Sequence, residues 1–466
     1  MADKMTKIIS LAKRRGFIFP GSEIYGGLAN TYDYGPLGVE LLRNIKNLWW
    51  KHFVNKRSDI YGLDSGIIMS PKVWQASGHT DSFTDVLIDC KKCKSRIRAD
   101  HLIENHFEKK GKEIKVEGFS VEKIKDIIDK EKIPCLSCKA FDWTKPRQFN
   151  LLFETHIGIV DESRSKAYLR GEIAQGIFIN FKNVLDSQSP DLPFGLAQSG
   201  AAFRNEITLG NFIFRTLQFN LSELEYFFNP KKQKWQDLFD YWKKEMWTWT
   251  TEILGVNKKN LRWREHIDNE RSHYSEKTED LDYNFPFGGF KELYGLAYRT
   301  DFDLKNHMEK SGVDLRYTDE KTREKFIPHV VEPTFGMDRS FLVCLLDSYF
   351  EEKGKKEDRV VLKLKPYLAP YKAAVFPLSA NKEELVKKAK EVYEMLRPEF
   401  STAWDDRGNI GKRYYSQDEI GTPFCITIDY DSLKQNDVTV RDRDTTKQIR
   451  VKIEELGEFL KEKIKT

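Results

Sequence analysis

Three short segments of this 466-residue chain carry side chains of the kinds that handle phosphates. The first is Phe203-Arg204-Asn205-Glu206, followed after a loop by Arg215 and, four residues on, Phe219. A guanidinium forks onto a phosphate in planar, two-pronged fashion. A carboxylate such as Glu206 can accept from an exocyclic amine, and an aromatic ring such as Phe219 can stack on a base. An antiparallel hairpin with surface ion pairs would use the same residues. The second segment runs from Glu332 through Thr334 and Gly336 to Arg339, a glycine turn into the apolar stretch 341–346. An arginine at a helix start meets the positive end of the dipole, so it suits a place where an anion or a ring face compensates. An arginine at an ordinary helix edge reads the same way. The third, Glu292 to Gly295 with Arg299, Asp301 and Asp303, could hold Mg²⁺ or a zwitterion, or form a paired loop.

Thiols supply a fourth kind of chemistry. Of six cysteines, four form two CxxC pairs, Cys90 with Cys93 and Cys135 with Cys138. In a reducing compartment this pattern suits a tetrahedral zinc site, with free or redox-active thiols as the other reading. The gap between the pairs is longer than that of a compact zinc ribbon, so a metal there would pin the ends of an inserted arm. From Cys90 to Arg147 there are 16 Lys/Arg against 10 Asp/Glu, an excess of 6 where the whole chain has +5. Such a segment could meet phosphates or be a solvated helix pair. Cys344 and Cys425 lie in apolar runs and read as buried small hydrophobes.

These residues need elements to position them. Residues 1–85 are rich in aromatics and glycine, with a helix expected over 37–54 after Gly35-Pro36, proline being favoured in a first turn. Residues 86–148 form the basic insertion, where Val121, Ile124, Ile127 and Ile128 follow a helical period behind Ser120 as N-cap. Aromatic and β-branched runs return over 149–350. A charged stretch, 351–365, reads as a linker. Residues 366–466 alternate strand and helix: strands at 373–376, 424–428 and 438–440, a helix opened by a capping box of Asn381 and Glu384, and a terminal helix near 453–464. The fold class is therefore α/β and α+β, with a mixed, mostly antiparallel sheet flanked by helices in the larger part.

A composition of 40% hydrophobic and 32% charged residues is that of a globular chain. No run approaches the roughly 20 apolar residues a membrane helix needs, and the N-terminus lacks a signal-peptide core. A cytoplasmic protein with no membrane association is expected. Walker A, dinucleotide and Ser-His-Asp signatures are all missing from the sequence.

Taken together, these segments resemble the class II aminoacyl-tRNA synthetases and, within them, the glycyl-tRNA synthetases of the homodimeric type. FRNE…RxxxF looks like their motif 2, EPTFGMDR like motif 3, and Pro71 stands where motif 1 has its dimer-interface proline. GSEIYGGLANTYDYGPLG, SGHTDSF, RADHLIE, ELYGLAYRTDFDL and VTVRDRD are also similar to that family. The resemblance implies ATP-dependent activation of glycine and its transfer to tRNA(Gly), with Mg²⁺ as cofactor, a homodimer, and an anticodon-binding domain from residue 366. Arg204 would hold the α-phosphate and the glycine carboxylate, Arg215 the γ-phosphate, and Glu206 the adenine amine. Phe219 and Arg339 would sandwich the adenine. Asn205, Phe214, Leu293 and Gly336 would complete the ATP site, with Glu292 as the Mg²⁺ ligand. Glu172, Glu223 and Glu332 would surround the glycine ammonium, with Phe219 and Thr334 beside them, Arg299 near the carboxylate and Arg98 reaching in from the inserted arm. In the anticodon domain, Arg413, Arg441 and Arg443 would meet RNA.

The chain departs from the family pattern beside these contacts. Gly171 and Ile173 replace the proline and threonine of RPETAQG. Leu209, Leu217, Gln218, Asn220, Leu221 and Ser222 alter motif 2, and Thr334 replaces a serine. The alternative expectation is a weakened or non-catalytic class II-like RNA-binding protein.

Overall fold

The computed structural model describes residues 2–465 apart from 113, 115, 117–118, 160–163, 207–209, 268–270, 272–273 and 354–357. Leu209 lies outside the described residues. A seven-stranded sheet organises the larger part, in the order Leu261–Glu265, Lys277–Phe285, Gly289–Thr300, His329–Gly336, Gln218–Phe228, Phe194–Phe203 and Ile60–Gly62. Every neighbouring pair is antiparallel except the last, which is parallel.

Both faces of this sheet are covered. On one lie the helices Pro36–Trp50 and Met337–Ser348, in a core holding Trp49, Phe53, Trp242, Trp249 and Phe335. The first of these helices starts at Gly35 with Pro36 in its first turn, as expected, and runs on into a wider turn at Lys51–Asn55. Gly38 lets it pass close to Phe17, whose carbonyl oxygen would sit 1.8 Å from any Cβ. On the other face, Ala174–Gln188 and Phe302–Ser311 pack Phe178, Phe181 and Leu304 against Phe194 and Phe227.

The insertion is a small unit with its own core. Strands Arg96–Arg98, Thr84–Asp89 and Arg147–Asn150 form an antiparallel sheet under the helices Ala99–Glu108 and Val121–Lys130. Ser120 caps the second helix by accepting from the Lys123 N–H at 3.2 Å, as its position predicts.

The segment expected as a linker instead forms a hairpin, in which Tyr349–Glu352 pairs with Arg359–Leu362. Its apolar residues Val361, Leu362 and Leu364 are buried. Arg359 donates to Glu352 at 2.9 Å and to Asp418 at 2.8 Å. Charge density alone had hidden this short apolar run. The C-terminal unit has a five-stranded sheet in the order Thr402–Trp404, Ala373–Pro377, Phe424–Ile428, Asp437–Asp442, Gln448–Lys452. Its first three strands are parallel and its last two pairings antiparallel. The expected capping box is not formed: the helix begins at Glu383 with Lys382 before it and no side-chain cap.

Candidate functional site

The motif around residue 204 is the open end of a long hairpin. Phe194–Phe203 pairs residue for residue with Gln218–Phe228 up to Phe203↔Gln218, and the Arg204 N–H closes the loop on the Leu217 carbonyl at 2.9 Å. Arg204 Nε donates to the Gly171 carbonyl at 3.0 Å, and its guanidinium lies 5.0 Å from the Phe83 ring and 5.3 Å from Phe219. The Asn205 N–H donates to the Leu151 carbonyl. Glu206 is 3.7 Å from Arg215, and its Oε2 is buried without a hydrogen bond. Such a carboxylate oxygen is free to accept from a ligand.

From the helix Met337–Ser348, Arg339 reaches across the hairpin. It donates to the Glu292 backbone carbonyl at 2.9 Å, lies 3.1 Å from its carboxylate, and sits 4.6 Å over the Phe214 ring. Phe214, rather than Phe219, is therefore the ring stacked on Arg339, while Phe219 lies against Arg204. Gly336 leaves room for this arginine, whose Cδ would be 3.3 Å from a Cβ there. The half-exposed Glu292 carboxyl is held below its ordinary value chiefly by the Arg339 charge, with Arg204 and Arg215 adding to it. Arg339 packs on Phe214, the neighbour of Arg215, and Arg215 lies 3.7 Å from Glu206, two residues beyond Arg204, so the three arginines gather at the open end of the hairpin. Leu293 is fully buried in the core, so only its backbone can serve a ligand.

Next to the arginines lies a set of buried acids. Glu223 accepts from the Ile173 N–H at 3.0 Å, and across the sheet it faces Thr334, which in turn pairs with Gly295. Burial pushes the Glu223 carboxyl well above the usual range, and the charges of Glu332 and Glu172 push it further, while Arg299 and Arg204 oppose. Glu172 is 3.1 Å from His79 Nε2 and accepts from Gln175 Nε2 at 3.0 Å. Burial works against its ionisation, but His79 and Arg299 win and hold it well below the ordinary value. Glu332 is pushed up by burial although Arg299 opposes. Arg204 is bonded to the Gly171 carbonyl and Glu223 to the Ile173 N–H, so the phosphate-type and acid-lined halves share one border.

Arg299 does not face open space. It is fully buried, donates to both oxygens of Asp303 at 2.8 and 2.9 Å and to Glu332 at 2.9 Å, and lies 3.7 Å over the Tyr274 ring. The expected contact with a substrate carboxylate is corrected on this ground: its donors are already taken by the acids beneath the pocket. From the insertion, Arg98 pairs with Asp85 at 3.0 Å and with Asp100. Burial raises the Asp85 carboxyl to about 6 against the pull of Arg98, with Glu206 adding to the rise. The arm therefore reaches the motif 2 loop.

The four paired cysteines come together. Cys90 and Cys138 sulfurs are 3.6 Å apart, as are Cys93 and Cys135, and all four lie within 4.8 Å of one another. Both CxxC turns have one geometry. Lys94 and Lys139 each take a left-handed φ of 62° and donate N–H at 2.9 Å to the carbonyl of the first cysteine. A tetrahedron of sulfurs around Zn²⁺ at about 2.3 Å has edges of about 3.8 Å, whereas a disulfide would need about 2.05 Å. The donor set fits zinc.

Sequence reasoning set Asp303 beside Arg299, with a paired loop as one reading, but gave no role to His79, Gln175 or His307, which also hold the acids. His79, Gln175, Asp303 and His307 form a buried chain, in which Gln175 donates to Glu172 and Asp303 and pairs with His307 at 2.8 Å. Asp303 is four residues beyond Arg299, a spacing that signals a pair at a strand-to-helix junction. Nothing local marks His79. Two departures from the family pattern are joined: Ile173 and Leu221 pack together with Ala202 and Phe219. A side chain at 171 would meet Leu152 at 2.9 Å, which glycine avoids. Arg413, Arg441 and Arg443 are buried, and the expectation that they meet RNA is corrected. Arg413 donates to the carbonyls of Pro377, Arg407, Asp406 and Gly408, Arg441 pairs with Asp418, and Arg443 donates to Gly421 and Leu364 carbonyls.

Residues 153–349 match the family described as tRNA synthetase class II core domain (G, H, P, S and T), and residues 372–463 match the anticodon binding domain. A glycine–tRNA ligase of Caldanaerobacter subterraneus subsp. tengcongensis is 52% identical over 461 residues, covering 99% of this chain and 98% of that protein. That of Geobacillus thermodenitrificans is 52% identical over 100% of this chain and 98% of its own length. That of Clostridium acetobutylicum is 51% identical over 99% of both. Among the described residues no helix is long and apolar enough to cross a membrane.

Proposed function

This chain belongs to the glycine–tRNA ligases of the class II synthetases, and from that premise we propose that its convergent arginines hold ATP and its buried acids receive glycine. The reaction joins glycine to tRNA(Gly) through an adenylate. The glycine carboxylate attacks the α-phosphorus and pyrophosphate leaves; a ribose hydroxyl at the tRNA 3′ end then attacks the adenylate carbonyl, losing its proton as the bond to phosphate breaks and AMP leaves. No protein nucleophile is required; catalysis is positioning and charge stabilisation.

In this reading Arg204 stands at the border between the two halves and meets both the α-phosphate and the amino-acid carboxylate. Arg215 meets the γ-phosphate, Glu206 accepts from the adenine amine through its unpartnered oxygen, and Arg339 covers the ring. The site's fit to Mg²⁺ is that of a half-exposed carboxylate, Glu292, beside the phosphate positions, which with substrate oxygens and water makes a Mg²⁺ ligand set. Such an ion would neutralise charge on the phosphates. Glu172, Glu223 and Glu332 gather round the ammonium, and Arg299 orients Glu332 from beneath. Glycine lacks a Cβ, so close carboxylates attract it while clashing with larger amino acids.

Structural zinc in the arm, a homodimer and a cytoplasmic location complete the proposal. Support for a dimer is the exposed Ile68, three residues before the helix begun by Pro71, and the exposed Ile157 and Ile159 on the opposite outer strand of the same small sheet and just beyond it. The six cysteines are all free, which suits a reducing compartment. Exposed groups of the C-terminal unit such as Arg407 and Tyr430 are the ones open to RNA.

The observation that carries the reading is that Arg204 donates to the Gly171 carbonyl while the Ile173 N–H, two residues on, donates to Glu223, which sets a phosphate site against an ammonium site. Glycine-dependent ATP–pyrophosphate exchange tests it. Exchange should need glycine, and Arg204→Ala should abolish it. Tight tRNA binding without exchange would instead favour the non-catalytic alternative.

A further inference from the structure

Beneath the acids already described lies one that the reaction does not use. Glu225 is on the same strand as Glu223 and, two residues on, points to the same face. Among the described residues it is fully buried, and neither of its carboxylate oxygens has a hydrogen-bond partner. The register set by Glu223↔Thr334 and Tyr226↔Val331 puts it opposite Glu332 on the neighbouring strand. Glu332 is already taken by Arg299, which donates to both its oxygens.

Two carboxylates facing each other across a buried sheet cannot both be ionised unless a cation serves each. Arg299 serves Glu332 and Asp303, and among the described residues no donor reaches Glu225. The charged groups around it are Glu223 on its own strand, Glu332 on one neighbouring strand, Arg299 on the next, and Asp303 on the helix Phe302–Ser311. Burial pushes the Glu225 carboxyl well above its ordinary range, and Glu332, Glu223 and Asp303 push the same way against Arg299.

We propose that Glu225 works as a neutral carboxylic acid under the pocket, donating its proton to the Glu332 carboxylate and so fixing the edge of Glu332 that meets the substrate ammonium. It is a positioning residue, acting on glycine only through Glu332. A protonated carboxyl is a donor, whereas the ionised form accepts only, so protonation turns an orphaned buried group into a satisfied one. It also keeps the pocket from gathering a further charge that would hold Glu332 and Glu223 protonated when glycine arrives. The proposal rests on the acids being the glycine site, and its tests separate the two ideas.

Glu225→Gln keeps the shape and a donor, while Glu225→Leu keeps the volume and neutrality but loses the donor. In ATP–pyrophosphate exchange, E225Q should leave KM for glycine within about twofold. E225L should raise it roughly tenfold, the effect of losing one oriented hydrogen bond, with KM for ATP unchanged in both. Infrared spectra of the full-length protein should show, beside any Glu223 contribution, a protonated-carboxyl band at neutral pH that is missing from E225Q. Should E225L fail to fold, E225Q and the infrared band still decide. A glycine KM unmoved in folded E225L, an E225Q as impaired as E225L, or a wild-type spectrum without that band overturns the proposal. If wild-type exchange proves independent of glycine, the pocket assignment fails instead, and the infrared band still reports on Glu225.

Discussion

Replacing Arg299 with glutamine probes the architecture most directly. The guanidinium is buried, forks onto Asp303 at 2.8 and 2.9 Å, and holds Glu332 at 2.9 Å. Removing one partner of a buried ion pair costs about 3–5 kcal/mol, because the remaining charge keeps its desolvation penalty. Arg299 serves two carboxylates, so the upper part of that range applies near neutral pH. Part of the loss is relieved when one of them takes up a proton. Burial already raises the Glu332 carboxyl against the pull of Arg299, and without that pull it rises further. A carboxyl whose folded value exceeds its unfolded one of about 4.3 binds its proton more tightly in the native state, so stability falls as pH rises through that window. The deficit of R299Q should therefore shrink by up to about 2.7 kcal/mol between about pH 7.5 and about pH 5.5, at 1.36 kcal/mol per pH unit. Urea denaturation of wild type and variant at the two pH values measures it. Arg299→Lys keeps the charge but cannot fork onto two acids, so its loss should fall between the other two proteins. A deficit under about 1 kcal/mol for R299Q, or one equal at both pH values, would refute the view that Arg299 is what makes this acid cluster tolerable.

Three further outcomes are expected. Because burial and acidic neighbours push the Glu223 carboxyl well above its ordinary range, an ammonium arriving beside it should pull that value down and expel a proton. Apparent glycine affinity should then rise by up to about tenfold per pH unit below that group's raised pKa. Calorimetry in buffers of different ionisation enthalpy should show one proton released, and none in Glu223→Gln. Metal analysis should find one zinc per chain; chelation or Cys90→Ser with Cys135→Ser should remove it and expose residues 86–148 to protease, since metal binding and folding of such a unit are linked. Ile173→Thr and Leu221→Gln, each putting a polar group into the same buried cluster, should cost about 1–3 kcal/mol singly. Thermal denaturation of the double variant should show a loss smaller than the sum by about 0.5 kcal/mol or more.

The residues of the candidate site were legible where they sit in local motifs, Arg204 and Glu206 at a hairpin end and Arg339 beyond a glycine turn, as were the cysteines of the arm in their matched pairs. The Pro36 helix and the cap at Ser120 were legible for the same local reason. What could not be read was whatever depends on long-range partners. His79 lies far from Glu172 in sequence, so no window shows that it supports that carboxylate. Arg413 and Arg443 looked like surface cations, yet each donates to backbone carbonyls around it, because a guanidinium's several donors suit a loop that has no ladder of its own. The hairpin at 349–362 was hidden by its own charges, since Val361 and Leu362 form too short an apolar run to outweigh them. Asn381 and Glu384 had the spacing of a capping box, but the chain turns one residue later and the helix starts without it.

The sheet explains why an acid pocket for so small a substrate can be built at all. Glu223 and Glu225 alternate with Leu224 and Tyr226, which face the core and fix the strand, and Glu332 alternates with Val331 and Pro333. Side chains of this kind cannot swing away from one another, because register and core packing hold each Cβ in place. Mutual repulsion must then be met by chemistry rather than by motion: by the guanidinium of Arg299, by the imidazole of His79, and by protons where no cation reaches. An ammonium entering above Glu223 supplies a cation that the fold has left out, so binding relieves a strain that is electrostatic and already in place. Charge alone would draw any amino acid, since all bring the same ammonium. On the proposed assignment, selection for glycine would follow from the rigidity of the same strands, which would let the carboxylates stand where a Cβ would otherwise go.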